Sequence, residues 1–170
     1  MSDFRVGIGV DAHAFSDGAA LVVGGVEIPG EAGLAGHSDG DVVAHALVDA
    51  VLGAAALGDI GTFFPSDEPE WEGASSLLFL ERAMAAVREA GFELVNADCV
   101  LVGERPRIAP LRAEMEQRLA VALERAHCVG VELHGGLRRR SHRLEDTCPA
   151  LPEGSLERPL LAERLEPLPP

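Results

Sequence analysis

Hydrophobic residues follow two different periods along the chain, and each period predicts a different kind of element. Helical spacing of apolar residues predicts helices over about residues 40–57, 74–90 and 109–125. Alternation of apolar and other residues predicts strands over about residues 5–10, 21–28, 92–102 and 129–133. We expect the second of these strands to be the hairpin partner of the strand before it, with an irregularity at Gly24-Gly25 and a closing turn at Pro29-Gly30.

The composition fits one folded domain. The chain has 170 residues, of which 47% are hydrophobic, and its mean hydropathy is +0.13, which argues against disorder. It has no apolar run of about eighteen residues and no N-terminal export signal, so we expect a cytoplasmic protein without a membrane partner. The 3 cysteines lack C-x-x-C spacing, which argues against a disulfide framework or a cysteine metal site.

The charge balance excludes one class of partner. The formal net charge is -14, from 28 acidic and 14 basic residues, and every basic residue is arginine. Binding a nucleic acid requires clustered positive charge, so we expect no nucleic-acid partner. For a small phosphate-bearing substrate, bound metal ions or helix N-termini must overcome the negative balance locally.

The helix predicted over residues 40–57 carries most of the candidate chemistry. Ser38 and Asp41 are spaced like a capping box at its start. Asp41, His45 and Asp49 lie four apart and therefore share one stripe of the helix. Taken alone, His45 is either a core histidine with satisfied nitrogens or a ligand. The two acids are either solvated or act as acceptors that orient His45.

Two more polar side chains end the first predicted strand. Asp11 and His13 are two residues apart, so in an extended chain they point to the same side and can converge on one ion. Together with His45 they predict a divalent-ion site without cysteine. After the helix, Phe63-Phe64-Pro65 either lines a pocket or forms a plain helix C-cap.

Three motifs occur in order along the chain. They are D-x-H at residues 11–13, H-S-D-G-D-x-x-x-H at residues 37–45 and G-D-I-G-x-x-F-P at residues 58–65. On these motifs the chain resembles the 2-C-methyl-D-erythritol 2,4-cyclodiphosphate synthases over about residues 5–125. The resemblance implies an α/β (α+β) fold, in which a small mixed β-sheet of about four strands has helices packed on one side. It also implies a homotrimer with active sites between the subunits.

The resemblance implies a set of metal and diphosphate residues. Asp11, His13 and His45 match the three ligands of a catalytic zinc ion, for which Mn²⁺ is the alternative. Asp11 and His13 thereby also face the substrate, because the fourth position is left for a phosphate oxygen. His37 and Ser38 match residues that contact the diphosphate, and His37 is implied to stabilise charge in the transition state.

Further positions are implied to hold the rest of the substrate. Asp59 and Gly61 match residues on the methylerythritol hydroxyls, and Phe64 and Pro65 continue that pocket. The cytosine is implied to lie against the backbone of the loop Gly103, Glu104, Arg105, Pro106, Arg107, Ile108 and Ala109.

The implied reaction is an intramolecular cyclisation in the non-mevalonate isoprenoid precursor pathway. In 4-diphosphocytidyl-2-C-methyl-D-erythritol 2-phosphate, the 2-phosphate attacks the β-phosphate and expels CMP. No protein nucleophile is needed, so catalysis consists of positioning and charge neutralisation, with Mg²⁺ on the diphosphate. Two alternatives remain: a zinc-dependent phosphoesterase, and a catalytically impaired trimer that binds metal and nucleotide.

The sequence pattern changes beyond the third predicted helix. We assign residues 1–134 to the synthase-like domain and residues 135–170 to a divergent tail, which contains three successive arginines at 138–140 and six prolines. The family segments K-x-T-T-x-E and G-F-x-G-R-x-E-G, which supply a threonine, a magnesium-binding glutamate and an arginine, have no match here. Because apolar periodicity is lost as well, we favour a shifted reading frame over a divergent terminus.

Overall fold

The computed structural model describes residues 4–103 and 105–124, together with the backbone of residues 129–133. Its strands are β1 (Phe15–Ser16), β2 (Leu21–Val23), β3 (Val26–Ile28), β4 (Gly33–Leu34), β5 (Ala97–Leu101) and β6 (Val129–Leu133). Its helices are α1 (Val42–Ala55), α2 (Ile60–Phe63), α3 (Ser76–Glu89) and α4 (Arg112–Ala122), with a 3₁₀ turn at Pro69–Trp71. None of the helices in this described part is long and apolar enough to cross a membrane, and the cytoplasmic location stays a prediction.

Helices α1, α3 and α4 confirm the three helices predicted from apolar spacing, although each is a few residues shorter at its ends. Their apolar stripes meet in one core. Leu52 of α1, Leu80 of α3 and Leu119 of α4 each have no exposed surface. Burial of such side chains is the main force that holds the helices together. Helix α1 contributes to this common core along with α3 and α4.

Residues 21–28 form a hairpin of their own beside the start of α1, whereas the sequence predicted a single interrupted strand paired with the strand before it. Strands β2 and β3 pair antiparallel, with Leu21 opposite Ile28 and Val23 opposite Val26. The two-residue turn between them is Gly24-Gly25, with φ of 57° and 75°. Two successive positive φ values define the turn that suits a twisted hairpin, and glycine adopts them without strain.

Asp41, and not Ser38, is the N-cap of α1, so the predicted capping box is wrong. Its side chain accepts hydrogen bonds from the N–H groups of Val43 and Ala44, at 3.0 and 3.1 Å. The same carboxylate accepts from the Gly24 and Gly25 N–H groups of the hairpin turn, at 2.9 and 2.6 Å. Burial raises the pKa of this carboxyl, while the backbone N–H groups oppose the rise. One side chain therefore joins the hairpin to the helix.

Residues 5–10 belong to none of the strands in the described part of the chain, contrary to the prediction. Their alternation is real: Val6, Ile8 and Val10 are about four-fifths exposed, at 81%, 86% and 80%. The glycines between them face α1 so closely that a Cβ on Gly7 would lie 1.9 Å from the Ala50 carbonyl oxygen. Alternation favours an extended chain, but a strand also needs a neighbour that supplies ladder hydrogen bonds.

The described strands form three two-stranded pairs. Besides the hairpin, β1 pairs antiparallel with β4, and β5 pairs in parallel with β6. Strand β5 is shorter than the predicted residues 92–102, and β6 confirms the strand predicted at residues 129–133. The fold is thus a mixture of helices and small sheets, as expected, while a single sheet of about four strands stays a prediction.

Candidate active site

The three predicted metal ligands lie close together. A carboxylate oxygen of Asp11 and ring nitrogens of His13 and His45 all lie within 4.8 Å of one another. Asp11 Oδ2 is 2.8 Å from His13 Nε2 and 3.1 Å from His45 Nδ1. Carboxylate and imidazole are the donors of a catalytic zinc site with an open position. The geometry therefore fits one divalent cation, and the predicted convergence of the three residues is confirmed.

The segment that carries Asp11 and His13 is positioned by backbone contacts. A Cβ on Gly9 would lie 1.8 Å from the Ala46 carbonyl oxygen, so only glycine lets the segment approach α1 this closely. His13 Nδ1 contacts the carbonyl oxygen of Ala35. This contact suits a proton on Nδ1 and leaves Nε2, the nitrogen next to Asp11, as the metal-binding atom.

His45 is nearly buried, and its partners are not those predicted from the helix stripe. Asp41 caps α1, and Asp49 accepts the N–H of Ile60 at 2.8 Å. Neither acid orients His45, so that prediction is wrong. Short aspartate side chains are captured by nearby backbone donors, which helical periodicity alone cannot locate.

Two serines and one aspartate take the place of the predicted acids. Nε2 of His45 lies 3.0 Å from Ser38 Oγ and 2.9 Å from Ser76 Oγ. The Ser76 hydroxyl in turn contacts the carboxylate of Asp39. Sequence analysis missed Ser76 and Asp39. The available signal was the position of Asp39 within the H-S-D-G-D motif and of Ser76 at a helix start.

The two residues predicted on the diphosphate differ in how close they lie to the ligands. Ser38 is half-buried and contacts His45 directly. His37 is exposed, and its Nε2 lies 3.4 Å from the Glu68 carbonyl oxygen. Ser38 therefore contacts a candidate ligand, while His37, the residue before it, lies at the surface.

The residues predicted to hold the methylerythritol surround α2, an element that the sequence did not predict. Asp59 is exposed and caps α2, accepting the Thr62 N–H and hydroxyl at 2.8 Å each. These hydrogen bonds lower the pKa of the Asp59 carboxyl. Gly61 is exposed and Pro65 is half-buried.

Phe64 lies in the core and not in an open pocket. Its side chain is 7% exposed, and its ring stacks on Phe79 with centroids 4.5 Å apart. Trp71 packs edge-on against Phe64 at 5.3 Å. Phe79 also stacks with His45 at 6.2 Å. Phe64 thus supports the ring of a metal ligand from behind, by way of Phe79.

The predicted cytosine loop shares a cavity with two of the ligands. A cavity of about 760 Å³ is lined by Asp11 and His13 and, from the loop, by Gly103, Arg105 and Pro106. The guanidinium carbon of Arg105 lies 5.7 Å from the centre of the Phe15 ring.

The other loop residues lie elsewhere. Ile108 is fully buried in the core, whereas Arg107 and Ala109 are exposed. Glu104 lies outside the described residues.

Comparison with known families agrees with the arrangement of the ligands. Residues 4–137 match the YgbB family. The chain belongs to this family. The match covers most of the chain and all three motifs, so the resemblance inferred from the motifs is confirmed. Residues 138–170 lie beyond the matched part.

The relatives of this YgbB-family chain bear the name that the motifs suggested. It is 48% identical to the 2-C-methyl-D-erythritol 2,4-cyclodiphosphate synthase of Solibacter usitatus over 124 residues, which are 73% of this chain and 78% of that protein. It is 51% identical to the synthase of Syntrophobacter fumaroxidans over 120 residues, 71% of this chain and 76% of that protein.

A solved structure of a 2C-methyl-D-erythritol-2,4-cyclodiphosphate synthase in its CDP-bound form also matches this family member. The TM-score is 0.68 at 38% identity, and the match covers 76% of this chain and 87% of that one.

Proposed function

We propose that this protein cyclises 4-diphosphocytidyl-2-C-methyl-D-erythritol 2-phosphate to 2-C-methyl-D-erythritol 2,4-cyclodiphosphate and releases CMP. The observation that carries the proposal is the convergence of Asp11, His13 and His45, in a chain that belongs to the YgbB family. Asp11 and His13 line a cavity of about 760 Å³, large enough for a nucleotide-sized ligand.

The metal ligands fit zinc by donor type and by spacing, with Mn²⁺ as the alternative. When bound, the ion would neutralise charge on a phosphate oxygen, and Mg²⁺ would enter with the substrate diphosphate. Three protein ligands would leave the fourth position of a tetrahedral zinc ion to that oxygen. In a chain of net charge -14, such local neutralisation is required before an anionic substrate can bind.

The chain's own residues would hold the diphosphate in line for attack. The Ser38 hydroxyl is adjacent to His45 and can donate a hydrogen bond to a phosphate oxygen near the metal. His37 is exposed, and its ring Nε2 lies at the long distance of 3.4 Å from the Glu68 carbonyl oxygen. Its ring can therefore turn toward the transferring phosphoryl group. Positioning of this kind supplies most of the acceleration that phosphoryl transfer needs.

The two ends of the substrate would occupy different parts of the chain. We assign the methylerythritol to Asp59 and Gly61, with Phe64 and Pro65 behind them. We assign the cytosine to the loop Gly103, Glu104, Arg105, Pro106, Arg107, Ile108 and Ala109. Support comes from Gly103, Arg105 and Pro106, which line the same cavity as the metal ligands.

We also propose that the protein assembles as a homotrimer. Val6, Ile8 and Val10 are at least 80% exposed on the segment that leads to the metal ligands, and Val102 of the opposite cavity wall is 81% exposed. Apolar stripes of this kind mark subunit interfaces. Light scattering of the purified protein should give three times the chain mass, and Ile8→Asp should lower that mass. A monomer mass for the unaltered protein at micromolar concentration contradicts the proposal.

The experiment that tests the function is an assay of the purified protein with the cytidine substrate, Zn²⁺ and Mg²⁺. We expect CMP and the cyclic diphosphate as products, and we expect His45→Ala to lose both the bound zinc and the CMP release. Asp67→Asn, at an exposed loop position, is the matched control and should keep both. Release of inorganic phosphate instead of CMP identifies a zinc-dependent phosphoesterase. Tight binding of zinc and CDP without any product identifies an impaired binding trimer.

The divergent tail decides between turnover and binding alone. We propose that residues 135–170 result from a shifted reading frame and that another frame encodes the threonine, glutamate and arginine of the family segments. The family match ends at residue 137, which supports a change in the chain near this point, whether a shifted frame or a divergent terminus. Resequencing the coding region tests it, because the proposal fails if no frame encodes those residues. A chain with the restored frame should then release CMP faster than the chain described above.

A further inference from the structure

The two ring nitrogens of His45 face different groups. Nδ1 lies 3.1 Å from Asp11 Oδ2 and 3.3 Å from His13 Nε2, on the side where the ligands converge. Nε2 lies 2.9 Å from Ser76 Oγ and 3.0 Å from Ser38 Oγ. A neutral imidazole has one N–H and one lone-pair nitrogen. The partners of Nε2 therefore decide whether Nδ1 is available to a metal.

Ser76 has a strong acceptor of its own. Its hydroxyl contacts one carboxylate oxygen of Asp39, and its backbone N–H donates to the other oxygen at 3.0 Å. Ser76 is fully buried and is the first residue of α3, so Asp39 also supplies the negative charge that a helix N-terminus favours. An ionised carboxylate only accepts hydrogen bonds. The Ser76 hydroxyl therefore donates its single proton to Asp39.

The direction of this hydrogen bond determines the next one. Because the Ser76 proton is used toward Asp39, the Ser76 oxygen offers only lone pairs to His45. A lone pair on Nε2 would face that oxygen at 2.9 Å, so this contact favours a proton on Nε2, with the Nδ1 lone pair directed at Asp11 and His13. Ser38 can accept from the same Nε2–H, which leaves its own proton for another partner.

We propose that Ser76 and Asp39 are positioning residues that fix the tautomer of His45, with its proton on Nε2 and its lone pair on Nδ1 directed at the metal. This inference rests on the metal site of the proposed function. Asp39 also caps α3, because it accepts the Ser76 backbone N–H. The Ser75 side chain at the N-cap position makes no capping hydrogen bond, and the distant Asp39 is used instead.

Asp39→Asn tests the proposal with almost no change of shape. With the amide oxygen placed to accept the Ser76 backbone N–H, the amide NH₂ takes the place of the oxygen that accepts both the Ser76 hydroxyl and the Asp41 N–H. This NH₂ loses the Asp41 contact and donates to the Ser76 hydroxyl. Ser76 then donates its proton to Nε2 of His45, which moves the histidine proton to Nδ1. We expect the zinc dissociation constant to rise by about 10- to 100-fold. It is measured by competition with a chromophoric chelator.

The tautomer itself is measured in the metal-free protein by long-range proton–nitrogen NMR at mildly alkaline pH, with the His45 signals assigned by their loss in His45→Gln. We expect Nε2–H in the unaltered protein and Nδ1–H in Asp39→Asn. A purely structural role for Asp39 does not exchange the two signals. An Nδ1–H tautomer in the unaltered protein, or unchanged signals in Asp39→Asn, overturns the inference.

Two further variants keep the test decisive. Asp49→Asn is the matched control, because Asp49 lies one turn along α1 from His45 but contacts the Ile60 N–H. It should leave the zinc affinity and the tautomer unchanged. Ser76→Ala removes the acceptor without altering Asp39 and should also weaken zinc binding, so it decides the case if Asp39→Asn does not fold. If the unaltered protein binds no zinc, the proposed function fails, and the NMR signals still decide this inference.

Discussion

The three candidate metal ligands come from two regions of the chain, which are held in place by different contacts. His45 belongs to α1, whose core side is buried and whose N-terminus is capped by Asp41. Asp11 and His13 belong to the segment 4–13, where hydrophobic side chains are exposed and which pairs with no strand in the described part of the chain. The helix is held by many mutually supporting contacts. The segment depends mainly on the close approach of Gly7 and Gly9 to α1.

This difference predicts where the site is sensitive. When one contact of α1 is lost, its other hydrogen bonds and packed neighbours still hold His45 in place. Such a change should lower the stability without moving the candidate ligands. A change in the segment 4–13 moves Asp11 and His13 directly, because only Val10 lies between Gly9 and Asp11. Substitutions in the segment should therefore weaken metal binding and stability together. Substitutions in α1 should lower stability and leave metal binding unchanged.

The largest effect is expected for Gly9→Ala. The added Cβ would lie 1.8 Å from the Ala46 carbonyl oxygen, and a backbone atom of the core helix cannot move away from it. We expect the free energy of unfolding to fall by about 3 kcal/mol. Stoichiometric zinc should be lost as well, because Asp11 and His13 shift away from His45. Denaturant unfolding and metal analysis measure the two effects.

Gly53→Ala is the matched control on the other region. Gly53 is an exposed residue of α1, and an added Cβ there meets nothing within 4 Å. Alanine should stabilise the helix by about 1 kcal/mol without changing zinc content. Normal zinc binding by Gly9→Ala would show that the close approach does not position the ligands, and the contrast between the two regions would fail.

The sequence predicted the parts of the molecule that local pattern determines. Helical periodicity located α1, α3 and α4. The Gly24-Gly25 pair indicated an irregularity in a strand and not the hairpin turn that it forms. The spacing of Asp11 and His13, together with the motif around His45, predicted that these three side chains converge. In each case the signal lies within a few neighbouring residues or within a motif.

Long-range partners could not be predicted in this way. Asp39, Asp41 and Asp49 have the same side chain within eleven residues, yet they contact α3, the hairpin turn and α2 respectively. Periodicity predicts the side of the helix on which a side chain lies, but not which backbone N–H group donates to it. The alternation of residues 5–10 likewise predicted an extended chain, but it did not predict that this chain lies against α1.

A smaller effect is expected for Asp41→Asn, which tests the helix region. The buried Asp41 carboxylate accepts from the N–H groups of Gly24, Gly25, Val43 and Ala44. An amide has one accepting oxygen, and its NH₂ would face N–H donors. We expect the free energy of unfolding to fall by about 2 kcal/mol, with zinc content unchanged.

Asp67→Asn at an exposed position controls for the loss of a charge and should leave stability unaltered. If Asp41→Asn lowers the zinc content as well as the free energy of unfolding, then α1 couples metal binding to stability just as the segment 4–13 does. The proposed separation would then be wrong.

The smallest effect is expected for Arg5→Ala, which asks where the segment 4–13 is fastened. Arg5 Nη1 donates to the Ala55 carbonyl at 3.3 Å, at the last turn of α1, and its guanidinium lies 4.4 Å from the centre of the Phe92 ring. An exposed cation over an aromatic ring contributes about 0.5 kcal/mol, so unfolding should shift by that amount. Zinc content should stay at the level of the unaltered protein, and Arg5→Lys, which keeps the charge, should lie between the two in stability. Loss of zinc in Arg5→Ala would mean that the segment is held at its beginning and not at the glycines beside α1.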